Sequence, residues 1–290
     1  MTGGMSFMME KVGLLDNRVD QASDRLQEVE QLIARNAAPR SALRKQLRLA
    51  IQGDHHAYLS LVDQYLNLVV EYLYLNGGGC TSKVSDTAQQ LFFRLWELLP
   101  YTSRLSDFER MLTLALIGEK GSQSIFHNLF KGKILRIRPY FRFLLVSYEM
   151  ENWHRHWISL ACRLKSKDLH DLILNMRCEM CGIDTSLLKD EERHCLNEIC
   201  RDLESPFNLK KRTAMCAMIK QYPKIKDFKA RWLEMKCELV ELRQEIRLTN
   251  KDSERFIKEL GNNLHSAKIL QPQWVDRVFN IIHFESFPSG

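Results

Sequence analysis

The chain has 290 residues, 45% hydrophobic and 27% charged, with 42 Lys and Arg against 36 Asp and Glu, a net charge of +6. This balance excludes a wholly disordered chain and supplies ample apolar material for a core. A mildly basic surface permits nucleic-acid contact without demanding it.

Only 13 Gly and 7 Pro punctuate the chain, so long elements with few breaks are expected. Leu, Glu, Lys, Arg and Gln dominate, and no sustained period-two alternation argues for a sheet. The expected fold class is all-α. The first ten residues hold no apolar core of a secretory leader, and the apolar runs fall far short of the ~18 residues a membrane span needs. The eight cysteines are therefore expected as reduced thiols in a cytoplasmic protein with no membrane partner.

Residues 1–40 read as an N-terminal heptad helix. Val12, Leu15, Val19, Ala22, Leu26, Val29 and Ile33 alternate by three and four, an a/d seam, and Ala38-Pro39 closes it. Residues 41–117 read as a helical domain. Within it, 41–75 form two helices bent at Gly53-Asp54, where Asp54 caps the second helix after a Gly that lets the chain turn. Leu47, Ala50, Ala57, Tyr58, Leu61, Val62, Tyr65, Leu68 and Val69 follow the helical period. After a loop at 77–83, residues 85–117 hold two helices broken at Pro100. The first, Ser85 to Leu99, gathers Leu91, Leu95 and Leu98 with Phe92 and Trp96 on one side. Gln89, Gln90, Arg94 and Glu97 lie toward the other.

These segments together resemble domain two of the extracytoplasmic-function sigma factors. The carriers are the Gly53-Asp54 turn with the apolar spacing after it, and the helix pattern Asp86-x-x-Gln89-x-x-Phe92-x-Arg94-x-Trp96. Phe108 and Leu112 match the apolar positions of the family's next helix. The likeness covers residues 43–117. It implies that the Ser85–Leu99 helix docks on the coiled coil of the RNA polymerase clamp, with Asp86, Gln89, Gln90 and Arg94 as partner contacts. The chain departs from the family where a basic DNA-touching segment should follow, because Thr113-Leu114-Ala115-Leu116-Ile117-Gly118 is apolar and then breaks.

Residues 118–139 are a basic linker, and its Lys131, Lys133, Arg136 and Arg138 are nucleic-acid candidates. Residues 140–222 read as a second helical domain. The only segment there that fits the implied helix-turn-helix is 142–177, with Trp157–Leu164 as first helix and Lys167–Arg177 as second. Lys167 and Arg177 would face DNA, but Asp168 and Asp171 work against groove reading, and the turn lacks a Gly. DNA reading, protein contact by a degenerate motif, and plain core helices all stay open.

Cys178, Cys181, His194 and Cys200 follow Cys-x2-Cys-x12-His-x5-Cys, a tetrahedral spacing for a structural Zn²⁺, with Cys195 as an alternative ligand. The competing reading makes these cysteines small apolar core residues. Residues 223–290 carry a C-terminal heptad helix and tail. Phe228, Trp232, Met235, Leu239, Leu242, Ile246, Thr249, Ser253, Phe256 and Leu260 hold the register, and Gly261-Asn262-Asn263 reads as a stop. The heptads either form homo- or hetero-oligomeric coiled coils, pair with each other, or bury on the protein's own body.

No phosphate loop, His-Glu-x-x-His or Gly-x-Ser-x-Gly pattern occurs, and His55-His56 and His154-Arg155-His156 lack an evident carboxylate partner, so no enzyme is expected. The expected function is a sigma-like transcription protein bound to RNA polymerase core, with DNA as a further partner. The alternative is a non-enzymatic adaptor that uses a sigma-derived helical fold and coiled-coil arms.

Overall fold

Pro39 pre-sets the backbone for the first described helix, and Gly53, at φ +93°, ends its turn in a conformation that favours glycine. The computed structural model describes residues 39–77, 81–119, 134, 136–204, 209–219, 221–222, 224–225 and 227–266. The regular elements among them are all helical, so the fold is all-α as expected. They are α1 (Arg40–Ile51), α2 (His55–Gly77), α3 (Thr81–Leu98), α4 (Leu105–Gly118), α5 (Pro139–Leu144), α6 (Arg155–Cys162), α7 (Ser166–Met180), α8 (Asp190–Glu204), α9 (Leu209–Ile219), α10 (Phe228–Ile246) and α11 (Asn250–Ser266). A 3₁₀ turn at Leu99–Tyr101 follows α3, as Pro100 predicts, and a π-helical turn at Leu145–Met150 continues α5. Among the described residues no helix is long and apolar enough to cross a membrane. The N-terminal heptad of residues 1–37 and the tail beyond Ser266 lie outside the described residues.

The chain divides into two units, one of residues 37–170 and 243–290, the other of 1–36 and 171–242. The division therefore does not follow the expected boundary between a domain at 41–117 and one at 140–222, because α5 and α6 belong with α1–α4.

In the larger unit, α2 is the hub. Tyr58, Leu61, Val62, Leu66, Leu68, Val69, Tyr72 and Leu75 are buried around nearly its whole circumference, which removes the usual amphipathic stripe. Asp54 caps it by accepting from the Ala57 amide at 3.0 Å. Charges buried with this core are held by ion pairs or by hydrogen bonds to neutral groups among the described residues. Glu109 on α4, 1% exposed, accepts both Nη1 and Nη2 of Arg40 at 2.6 and 2.7 Å. The Tyr65 hydroxyl donates to the same carboxylate at 2.9 Å. The Arg40 guanidinium also lies over Trp157 of α6, 4.6 Å from the ring centre. A second group joins Glu71 of α2 to Arg243 of α10, which also pairs with Glu151 after the π-helical turn. Buried Arg142 on α5 donates to Asn76 and to the Ile137 carbonyl, tying α5 to the end of α2.

The C-terminal heptad does not run through one helix. The chain breaks after Ile246, and Thr249 restarts it by accepting from the Asp252 amide at 3.2 Å. The expected apolar positions are nonetheless buried against the protein itself: Phe228, Trp232, Met235, Leu239, Leu242, Ile246, Phe256 and Leu260. Gly261 is not a stop, since α11 continues to Ser266. A Cβ there would stand 3.1 Å from Leu59 Cδ1, so the glycine serves close approach of α11 to α2.

In the smaller unit, Trp232 of α10 is fully buried, and the Arg177 guanidinium of α7 lies 5.3 Å from its ring centre. Arg177 pairs with Glu204 at 3.0 Å, and buried Asp202 accepts from Lys229 at 2.7 Å. On α8, Cys195, Leu196, Ile199 and Cys200 form the inward stripe.

Two stability predictions come from the charged groups of the larger unit. Arg40→Ala leaves the Glu109 carboxylate buried without its cation and should lower the unfolding free energy by about 3 kcal/mol, read by urea denaturation; an unmoved midpoint would show that the pair contributes nothing. Burial, and then the nearby Glu151 carboxylate, push Glu71 well above the usual carboxylate range, against a smaller opposing pull from Arg243. The fold thus favours protonated Glu71. That contribution is full below the unfolded carboxylate pKa and is lost as pH rises through the raised folded value. Glu71→Gln should flatten the fall in melting temperature from about pH 5 upward, and an unchanged slope would place the titration elsewhere.

Candidate functional site

Helix α3 carries the partner-contact residues expected from the sequence, and its two sides have opposite fates. Val84, Ala88, Leu91, Phe92 and Leu95 are buried, with Phe92 fully so. The Tyr58 hydroxyl of α2 donates to the Phe92 carbonyl, and the Tyr58 ring stands 5.0 Å from half-buried Trp96. Packing on α2 therefore fixes the rotation of α3 about its axis. The side turned outward holds Asp86, Gln90 and Arg94, all exposed, at four-residue spacing. They form one stripe that runs from an acid through an amide to a base. Arg94 stands 3.5 Å from Glu119 with its side chain 56% exposed, so the guanidinium faces solvent.

Gln89 departs from the expected set. It is half-buried and held at both ends of its amide by α11. Its Nε2 donates to Glu259 Oε2 at 3.1 Å, and Asn263 Nδ2 donates to its Oε1 at 3.1 Å. Phe256 of the same helix packs edge-on against Phe92, ring centres 6.2 Å apart. The structure thus brings Asp86, Gln90 and Arg94 together on an open face and assigns Gln89 to an internal contact. Glu259 and Asn263 lie 170 and 174 residues from Gln89, and no local sequence signal pointed to them.

Of the nucleic-acid candidates, Lys131 and Lys133 lie outside the described residues. Arg136 and Arg138 are exposed, and Arg138 Nη1 donates to the Tyr140 hydroxyl at 3.0 Å. Both helices of the expected helix-turn-helix segment are present, as α6 and α7. Arg163 stands at the turn in the left-handed region, φ +53°, where a Gly was missing, and the Leu164 amide donates to the Ser159 carbonyl at 3.0 Å. A groove-reading helix needs an exposed stripe along its length. On α7 the outward line is acidic: Asp168 and Glu179 are exposed and Asp171 half-buried, and Lys167 is the basic residue that stands open. Leu169, Ile173, Leu174, Met176, Cys178 and Met180 are buried. Arg177, expected to face DNA, is 2% exposed and committed to Glu204 and Trp232, so it presents nothing to a groove.

The cysteine–histidine set does not converge. Cys178, Cys181 and Cys200 are buried, whereas His194 is exposed, off the buried line of Cys195 and Cys200 on α8. Among the described residues no group of three or more His, Cys, Asp or Glu side chains has a metal-holding arrangement. Gly182, at φ +71°, ends α7, where the Ile183 amide donates to the Cys178 carbonyl at 2.8 Å; that explains the glycine without a zinc knuckle. Burial, then the neighbouring Cys200 and Cys181 thiols, push the Cys178 thiol far up, and burial pushes Cys195 up to about 11. Raised thiols are poor nucleophiles.

No protein-family model, curated protein or solved structure matches the chain.

Cys178 should stay unmodified when the native protein is treated with iodoacetamide at neutral pH and react fully after unfolding in guanidinium. Mass spectrometry of its peptide reads both states, and fast native labelling would contradict its burial.

Proposed function

We propose that this chain is a sigma-like transcription protein that binds bacterial RNA polymerase through the outer stripe of α3. One observation carries the reading. Asp86, Gln90 and Arg94 stand exposed in register on a helix whose aromatic side is sunk in its own core, directly after the capped Gly53-Asp54 turn and α2. A stripe of both charge signs suits a polar helical partner, for which complementary charge gives orientation and specificity more than raw affinity. The resemblance of residues 43–117 to the extracytoplasmic-function sigma factors supplies the partner: the coiled coil of the polymerase clamp.

The burial of α7 favours a divergent form of this function, a regulator on polymerase with no promoter reading through Lys167–Arg177. Arg177 is held inside by Trp232 and Glu204, and the outward line of α7, Asp168, Asp171 and Glu179, carries negative charge that phosphates would repel. The adaptor alternative, in which the same stripe meets another protein, makes the same use of the fold. Polymerase capture separates the two.

Immobilised full-length chain should retain bacterial core polymerase. Asp86→Lys combined with Arg94→Glu reverses both charges on the stripe without touching the core, and should weaken retention at least about tenfold. Equal retention by the wild-type and doubly substituted chains would remove the clamp assignment, and no retention by either would favour the adaptor.

A further inference from the structure

His55 begins α2 and His265 lies in the last turn of α11, 210 residues later. Their rings meet edge to face with centres 4.6 Å apart, and His55 Nδ1 stands 3.5 Å from His265 Nε2. On its far side, His265 Nδ1 lies 2.7 Å from the carbonyl oxygen of Gly261. A carbonyl oxygen can only accept, so Nδ1 of His265 carries the proton. The neutral ring then keeps its lone pair on Nε2, turned toward His55.

The gap between the two rings is informative. At 3.5 Å it exceeds the roughly 2.9–3.0 Å of a good N–H hydrogen bond. It is close to the separation, about 3.4 Å, of two imidazole nitrogens bound to one tetrahedral zinc ion at ordinary bond lengths. The contact from His265 Nδ1 to a backbone carbonyl is also the support that metal-bound histidines use to fix tautomer and ring orientation. Both rings reach solvent, His55 half-buried and His265 exposed, so a hydrated ion can approach. The Trp96 ring, 4.8 Å from that of His55, holds the latter in place.

We propose that His55 and His265 form a two-histidine site for a borderline transition-metal cation such as Zn²⁺, Ni²⁺ or Co²⁺, with water at the remaining positions. His55 takes part with its proton on Nε2 and its lone pair on Nδ1. Among the described residues no third protein ligand completes the shell, so the site is exchangeable, unlike a closed four-ligand zinc site. Bound metal fastens the end of α11 to the start of α2. Since α11 also holds Gln89 through Glu259 and Asn263, metal occupancy secures the helix that borders the outer stripe of α3. The inference does not depend on polymerase binding.

Thermal melts of the full chain in ZnCl₂, against the same protein in EDTA, test the site. At free metal about tenfold above Kd, a rise of a few degrees is expected. His55→Gln and His265→Gln should each abolish the rise while melting near the wild-type temperature in EDTA, since neither side chain is core. Co²⁺ bound by the wild-type chain should show d–d absorption without a thiolate charge-transfer band. The proposal is overturned if Zn²⁺ leaves the melting temperature unchanged, or if the rise survives both substitutions. A cobalt complex with a thiolate band, which puts the metal on cysteines, overturns it too.

Discussion

A carboxylate with no route to water organises the larger unit. Glu109 sits on the inner side of α4 at 1% exposure, and leaving such a charge unpaired inside a protein costs several kcal/mol. Its surroundings meet that demand from three helices. The planar fork of Arg40 matches both carboxylate oxygens. Tyr65 supplies a third donor from α2. Because Arg40 must reach across to Glu109, its guanidinium passes over Trp157, which brings α6 to the same place. Apolar packing alone would tolerate a slipped or rotated α1, but a bidentate ion pair does not.

The Glu71–Arg243–Glu151 group has the same role for the C-terminal segment. One arginine faces two carboxylates in a buried place. The arrangement favours a proton on the acid pair and links the end of α10 to α2. After that link the chain breaks at Arg247–Thr249 and α11 folds back along α2 and α3. Phe256, Leu260 and Leu264 bury their side chains there, and Gly261 allows close approach to Leu59. A helix that would otherwise extend the heptad outward thereby forms one edge of the α3 surface, leaving Asp86, Gln90 and Arg94 open and closing over Gln89.

Much of the local architecture was legible in the residues. Gly53-Asp54, Pro100 and the three-four spacing of apolar positions placed α1 to α4 within a few residues, because caps, proline and helical period act over one or two turns. The outward side of α3 was legible for the same reason. Gln89 was not, since the groups that hold it come from α11. The C-terminal heptad gave the right buried positions and the wrong continuity. Thr249 fits the register as well as any small residue, yet its hydroxyl caps a new helix. The cysteine spacing was compatible with zinc, but spacing along the chain says nothing about which side of α8 faces inward. His194 and Cys195 are neighbours in sequence and fall on opposite sides of that decision.

What the sequence determined by itself was the all-helical class, the main breaks, and the outward side of α3 at Gln90 and Arg94, though not at Gln89 and Glu97, which are half-buried; all are consequences of interactions between residues at most a few positions apart. Tertiary structure alone decided that Glu109 would join Arg40 across 69 residues, that Arg177 would turn inward to Trp232, and that α11 would lie against α3. The physical reason is that a buried charge or an apolar stripe states a need for a partner without naming it. Its identity depends on which of many similar helix faces packs first and best, and that choice belongs to the whole chain.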